Sequence, residues 1–183
     1  MPGSGISVPM QAIEVHQLAE LVGQFVSLLR DSESVVQAGQ DGHLLARLTP
    51  AVYPQDPEAS AEFAAATRDD LLDRRAAEAR IVRDDLESVL DGDVAVSAQL
   101  TIPAAHVDSW LRTLAALRLV IATRLGIEDE PTPDPDDPRL GIEDEPTPDP
   151  DDPRLGVYEW LGYRLELLVE AADAEDDAAP SAG

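Results

Sequence analysis

The chain has 183 residues, 44% of them hydrophobic and only 4% aromatic, a length and composition that suit one domain with a mainly aliphatic core. Its net charge is −24, which argues against binding to nucleic acid or to an anionic membrane surface. The absence of cysteine excludes disulfides and thiolate chemistry.

Two short segments of alternating polarity predict a pair of β-strands. Residues 5–9 place Ile6 and Val8 on one side, and residues 94–100 show the same alternation. Between residues 11 and 30, in contrast, apolar side chains recur every three or four positions, as on the buried face of a helix. We therefore expect a long first helix and a small two-stranded sheet formed by residues of about 5–9 and 94–100.

The middle of the chain predicts several helices of different length. Residues 44–48 are typical of one short helical turn. Pro57 suits the first position of a short helix that ends near Ala66, because proline lacks a donor that this position leaves unused. Thr67 is placed to cap a separate long helix, which ends at Gly92.

Two further helices are predicted in the second half of the chain. Thr101 is placed to cap a helix that Gly126 closes. An apolar stripe that starts at Val157 predicts a final helix, which fades near Ala172. The predicted fold is mainly α, a single-domain bundle of three long and two or three short helices with the small β pair.

An exact duplication separates the last two predicted helices. The fifteen residues RLGIEDEPTPDPDDP occupy positions 124–138 and again positions 139–153. Each copy holds four prolines and six acidic residues, which oppose helix formation and favour an extended chain. Residues 128–153 are therefore predicted to be an inserted acidic linker. The folded domain would comprise residues 1–127 and 154–172, and residues 173–183 are expected to form a disordered acidic tail.

The sequence shows no motif for a catalytic residue, a cofactor or a metal. His16, His43 and His106 lie far apart, and no histidine or acidic partner at helical spacing suggests a zinc site. The acidic linker lacks the spacing of a calcium loop, and glycine-rich phosphate loops are absent. We therefore predict no cofactor and no specific metal site.

Two arginines, Arg75 and Arg118, fall on the apolar stripes of their predicted helices. A charge in such a position must be paired or must reach solvent. One interpretation is a structural ion pair with an acid such as Glu159 or Asp70. The other is a receptor for an anion or a carboxylate between helices, since the guanidinium fork suits bidentate recognition. Three aromatic residues complete the candidate ligand or interface positions, although each also suits the core: Trp110, Tyr158 and Trp160.

Three stretches of the chain together carry a family resemblance. They are LLARLTPAVYPQDPEASAEFAAATRDDLLDRR at 44–75, SWLRTLAALRLVIATRLGI at 109–127 and VYEWLGYRLELLVEA at 157–171. In order and spacing they resemble the actinobacterial family of unknown function called DUF2017. The resemblance implies a small, mainly helical cytoplasmic protein. It also implies relatives that often lie beside a Clp-protease adaptor in the genome and that have been labelled regulators.

The leading functional hypothesis is a non-enzymatic protein-interaction or regulatory module. One form of this hypothesis is self-association as a homodimer. The resemblance implies a link to proteolysis. One alternative is an enzyme or a small anionic-ligand receptor that uses Arg75 and Arg118. A second alternative is a transcriptional regulator. The sequence shows neither a secretion signal nor an apolar stretch long enough to span a membrane, so a cytoplasmic location without membrane association is expected.

Overall fold

The computed structural model describes residues 5–30, 47–48, 57–92, 99–127 and 149–178. Within these residues the architecture is mainly α with a small antiparallel sheet, as predicted. The predicted connector after the first helix and most of the predicted linker lie outside the described residues. The strands are β1 (Gly5–Pro9) and β2 (Gln99–Pro103), a 3₁₀ turn covers Ala104–His106, and the helices are α1 (Ala12–Arg30), α2 (Pro57–Asp91), α3 (Val107–Arg124) and α4 (Pro153–Ala178).

The two strands pair through their apolar residues. Ile6 lies opposite Ile102 and Val8 opposite Leu100, and all four side chains are buried. The second strand thus lies further along the chain than the predicted 94–100, and Thr101 belongs to the strand instead of capping a helix. This register places Leu100 and Ile102 on the core side, a gain in buried apolar area that outweighs the local preference of Thr101 for a helix cap.

Helices α1 and α2 form the most extensive helix pair. The two helices predicted on either side of Thr67 are in fact one 35-residue helix, α2. No glycine or proline separates the two predicted segments. A threonine inside a helix costs only a few tenths of a kcal/mol, whereas a new helix would need a new nucleus. The core stripe of this pair consists of Leu18, Val22, Phe25 and Leu29 from α1 and of Ala76, Ala79, Val82 and Leu86 from α2.

Helix α3 ends in a glycine motif that the sequence predicted. Gly126 has a φ of +72°, a left-handed conformation that glycine adopts without steric cost. The backbone N–H of Ile127 donates to the carbonyl of Ala122 at 2.9 Å, and that of Gly126 donates to Thr123 at 3.2 Å. These two bonds define a Schellman cap and satisfy carbonyls that the helix end leaves free.

Helix α4 begins at the last residue of the second repeat copy. Pro153 is its first residue, and the side chain of Asp152 accepts a hydrogen bond from the backbone N–H of Arg154 at 2.9 Å. The guanidinium of Arg154 and this backbone N–H together hold the pKa of Asp152 below its ordinary value. The helix continues to Ala178 and does not end near Ala172 as predicted, so residues 173–178 are helical where a disordered tail was expected.

Each helix packs against the next helix along the chain. Helix α2 lies between α1 and α3, α4 packs on α3, and β1 lies against α4. The backbone of α1 approaches that of α3 at few points. As a result, a cleft remains between α1 on one side and α3 with α4 on the other.

Candidate functional site

The α1–α4 cleft is lined by residues of α1 and α4. Its volume is about 520 Å³, and Trp160, Val157 and Gly156 form the α4 wall opposite Leu21 of α1. A second depression of about 290 Å³ shares Leu21 and Gln24 with the cleft. The depression continues it along α1 over the apolar side chains Phe25, Leu28, Leu117, Val120 and Ile121.

One end of this cleft is bridged by the Glu14 cluster, which we define as Glu14, Trp160 and Arg164. Glu14 accepts a hydrogen bond from the indole N–H of Trp160 at 3.0 Å and forms an ion pair with Arg164. The same carboxylate accepts from the backbone N–H of Gln11 at 2.8 Å, as in a capping box. Arg164 also donates to the carbonyl oxygen of Pro9. The cluster therefore ties the end of β1, the start of α1 and the middle of α4 together.

The environment of Glu14 favours its charged form. Burial by itself would raise the pKa of this carboxyl group, but three donors act in the opposite direction. These are the backbone N–H of Gln11, the indole of Trp160 and the guanidinium of Arg164, and the net result is a pKa below the ordinary value of 4.5. A charged Glu14 is therefore part of the folded structure.

Trp110 lies in the core and not at a ligand surface. It is fully buried, and its indole N–H donates to a carboxylate oxygen of Asp85 at 2.9 Å. Nδ1 of His106 lies 2.9 Å from the same carboxylate oxygen. A carboxylate that orients a histidine is also found in catalytic triads, but no described serine or threonine forms a hydrogen bond with His106. The arrangement satisfies a buried indole at the junction of α2 and α3.

Arg75 forms a backbone contact instead of an ion pair. One of its terminal nitrogens donates to the carbonyl oxygen of Leu48 at 3.0 Å. Leu48 is buried. The expected pairing of Arg75 with an acid such as Asp70 is therefore wrong for the part of the chain that the structure describes, and Arg75 fixes the segment at Leu48 against α2.

Arg118 lies over an aromatic ring. Its guanidinium carbon lies 4.2 Å from the centroid of the Tyr158 ring, a cation–π geometry. Its Nε is buried without a hydrogen-bond partner. The predicted ion pair with Glu159 is not formed, and no other acid pairs with Arg118 within the described ranges. Both residues line a pocket of about 170 Å³ between α3 and α4, which we call the Arg118 pocket.

The histidines and acids that the structure describes form no metal centre. No group of three or more His, Cys, Asp or Glu side chains in these residues could hold an ion. His16 does have an acidic partner at helical spacing, contrary to the sequence analysis, since its Nε2 lies 3.7 Å from Glu20. Both side chains are exposed, so the pair has the character of a solvated surface contact. His43 lies outside the described residues.

The five candidate residues identified from the sequence lie in four different places in the structure. Trp160 belongs to the cleft, Tyr158 and Arg118 share a pocket, and Arg75 and Trp110 are structural. Sequence reasoning missed the residues that complete these sites. Glu14 and Asp85 each lie on a different element from the candidate they contact. Arg164 lies on the same helix as Trp160, with its guanidinium carbon 5.5 Å from the centroid of the indole ring, and Arg47 lines the pocket of Arg118 from a distant part of the chain. The glutamate three residues into α1 was the one available signal, because this spacing is that of a capping box.

Comparisons with known proteins add a family but no activity. Among the described residues, no helix combines the length and the apolar content needed to cross a membrane. No curated protein and no solved structure matches the chain. A family model described as a domain of unknown function, DUF2017, matches residues 1–172, and the chain belongs to this family.

Proposed function

We propose that the protein is a non-enzymatic interaction module that holds an apolar segment of a partner protein in the α1–α4 cleft. The observation that carries this proposal is the cleft itself, about 520 Å³ in volume and continued along α1 by a second depression. Its walls combine the polar side chains Gln17, Glu20 and Gln24 with the apolar Leu21 and Val157 and the indole of Trp160. Tryptophan is enriched at the energetic centres of protein interfaces.

The length of the surface suits a short peptide element. The lining residues extend from Glu14 to Leu28 on α1. At a rise of about 1.5 Å per residue this corresponds to roughly 21 Å, or about four turns of a helix. An amphipathic helix that lays its apolar face into a groove is a common mode of recognition. We therefore expect the partner segment to be a helix of this length.

Charge complementarity indicates what surrounds the apolar residues of that segment. The rim of the cleft carries Glu20, whose side chain is 65% exposed, and the chain as a whole has a net charge of −24. Such a field attracts a cationic partner and repels an anionic one. The partner segment should therefore have lysine or arginine beside its apolar face.

The proposal is tested with a library of random peptides displayed on phage and selected on the immobilised protein. Binders should combine apolar residues at helical spacing with basic residues. Leu21→Glu, which places a charge in the cleft, should abolish their binding. Leu71→Glu is the matched control, because Leu71 is 38% exposed on α2 and lines neither the cleft nor its continuation. If the selected peptides bind both variants equally well, the cleft is not the docking surface.

A second copy of the chain is a less favoured occupant of the cleft. Each of the two copies would carry a net charge of −24 over its whole chain, and this repulsion opposes association. Light scattering over a range of protein concentrations distinguishes the two cases. A dimer that is lost in Leu21→Glu but kept in Leu71→Glu would show that the cleft serves self-association, and the basic-partner proposal would then be wrong.

A regulatory role in protein turnover is the more specific form of this proposal, and the family resemblance is its support. It predicts that a purified Clp-protease adaptor from the same genome binds the protein and that Leu21→Glu weakens the complex. A transcriptional regulator is less well supported, since the negative charge opposes contact with phosphates. A salt-dependent mobility shift with DNA would favour that role instead.

A further inference from the structure

The charges along the α1–α4 cleft and its continuation are separated by sign. We refer to these two cavities together as the binding groove. The acidic residues among its described lining, Glu14 and Glu20, line the cleft and not the continuation. The basic residue among its described lining, Arg124, lines the continuation and not the cleft. The groove therefore has an acidic end and a basic end.

Helix α4 shows that the two ends lie far apart. Arg164 forms an ion pair with Glu14, whereas Arg154 donates to the backbone carbonyl of Arg124 at 3.2 Å. Arg154 and Arg164 are ten positions apart on one helix, which corresponds to roughly 15 Å at a rise of about 1.5 Å per residue. This separation exceeds the Debye length of about 8 Å at physiological ionic strength. Each end therefore acts mainly on the charges that dock beside it.

Both ends present a charge that a partner can reach. The side chain of Glu20 is 65% exposed, and its contact at 3.7 Å is with the similarly exposed His16. Arg124 is exposed, and none of the acids that the structure describes forms an ion pair with its guanidinium. Glu14, in contrast, is already paired with Arg164. Glu20 and Arg124 are therefore the charges that a docked segment meets.

We propose that the binding groove holds a partner helix in one orientation, with a basic N-terminal end beside Glu20 and an acidic C-terminal end beside Arg124. This orientation rests on the proposed function and adds the direction and the charge distribution of the docked helix. Side chains of opposite sign attract one another at each end. The helix macrodipole acts in the same direction, because its N-terminus carries a partial positive charge and its C-terminus a partial negative charge.

The apolar part of the groove supplies affinity without setting the direction. Phe25 and Leu28 of α1 and Val120 and Ile121 of α3 are among the apolar side chains that line the continuation. Burial of apolar surface against them is non-directional. Exposed ion pairs change an equilibrium constant by only a few-fold each. Charge therefore selects the orientation, whereas apolar contacts supply most of the affinity.

The charge distribution is tested with two synthetic peptides of about fifteen residues, the length that matches the groove. Both have leucine at helical spacing and lysine in their first turns. The mixed-charge peptide has glutamate in its last turn, and the all-basic peptide has lysine there. The ratio of their dissociation constants is measured by fluorescence anisotropy at physiological ionic strength, for the wild type and for charge-reversed variants of the full chain.

Arg124→Glu should shift this ratio by roughly tenfold in favour of the all-basic peptide, because it reverses the sign of the contact at the last turn. Arg74→Glu is the matched control, since Arg74 is exposed on α2 and lines neither cavity of the groove. It changes the net charge by the same amount, so it should shift the ratio by less than about twofold. The comparison thus separates a local contact from the general attraction of an acidic protein for lysine.

The orientation is measured with a nitroxide spin label. The chain has no cysteine, so Ile13→Cys introduces a unique attachment site beside Glu14. Ile13 is 59% exposed and does not line the groove. A label there should broaden the NMR signals of the first turn of the mixed-charge peptide more than those of its last turn. Arg30→Cys, at the other end of α1, should give the opposite pattern.

The outcomes distinguish the orientation from the proposed function. Suppose that both peptides bind and that Leu21→Glu abolishes their binding. An unchanged ratio in Arg124→Glu, or equal broadening at both ends of the peptide, would then overturn the orientation and leave the cleft as the docking surface. If neither peptide binds the wild type, or if both bind Leu21→Glu unchanged, the orientation and the proposed function are both wrong.

Discussion

Arg164 and Arg118 project from adjacent helices and both lie beside aromatic rings, yet their surroundings differ. Arg164 is 8% exposed and has two acceptors, the carboxylate of Glu14 and the carbonyl oxygen of Pro9. Arg118 lies 4.2 Å above the Tyr158 ring and has no acceptor among the described residues. A buried charge is costly unless it is paired, so Arg164 belongs to the fold. Arg118 makes no hydrogen bond with the described residues and is held by the aromatic ring alone.

The largest expected effect follows from removing the acceptor of Arg164. Glu14→Ala leaves a buried guanidinium without its carboxylate and also removes the acceptor of the Trp160 indole. The free energy of unfolding should fall by about 3 kcal/mol, the low end of the range for a broken buried ion pair because Glu14 keeps partial contact with solvent. Urea denaturation followed by tryptophan fluorescence measures this loss.

Glu20→Ala is the matched control for this prediction. Glu20 lies on the same helix, but its side chain is 65% exposed and its partner is the exposed His16. The free energy of unfolding should change by less than about 0.5 kcal/mol. If both variants lose stability equally, the Glu14 cluster does not hold α1 and α4 together.

The second effect is a dependence of stability on pH that Glu14 introduces. The folded-state pKa of Glu14 lies below its ordinary value of 4.5. Its stabilising contribution is therefore fully present above the unfolded-state pKa and is lost as the pH falls through the folded-state pKa. The difference in unfolding free energy between the wild type and Glu14→Gln should be constant near neutral pH and shrink in acid, below about pH 4.5. A difference that grows in acid would contradict this assignment.

A smaller effect on stability is expected at Arg118. Arg118→Gln removes a cation–π contact but breaks no hydrogen bond or ion pair with the described residues, so the free energy of unfolding should fall by about 1 kcal/mol or less. Arg164→Gln, the same substitution at the paired site, should cost about 3 kcal/mol. Equal losses in thermal or urea denaturation would mean that Arg118 is as structural as Arg164.

The smallest effect on stability is expected in the acidic linker between α3 and α4. Deleting one fifteen-residue copy preserves the Asp-Pro-Arg start of α4, because the two copies are identical. The shortened connection lowers the entropic cost of loop closure by only about 0.6 kcal/mol. The melting temperature should therefore change by less than a few degrees, as calorimetry can show. A large fall in melting temperature would indicate that the linker packs against the domain.

Local features of the sequence predicted much of the fold. The apolar stripes of α1, α3 and α4, the alternating polarity of β1 and the glycine cap at Gly126 all depend on residues within a few positions of one another. The errors arose where a threonine with the signal of a helix cap lies inside a longer helix or strand. Thr67 had the spacing of a helix cap, yet α2 continues through it, and Thr101 pairs in a strand instead of capping α3.

The sequence by itself determined which faces are apolar, where helices can end and that the exterior is strongly acidic, because periodicity, capping and charge are properties of neighbouring residues. The tertiary structure alone decided the partners that the charged and aromatic side chains find on other elements. Glu14 meets Trp160 across 146 positions, and Arg118 meets Tyr158 because α4 packs on α3. Both contacts depend on the relative placement of helices, which periodicity does not specify. Arg164 is therefore a structural residue, whereas Arg118 is a candidate binding residue.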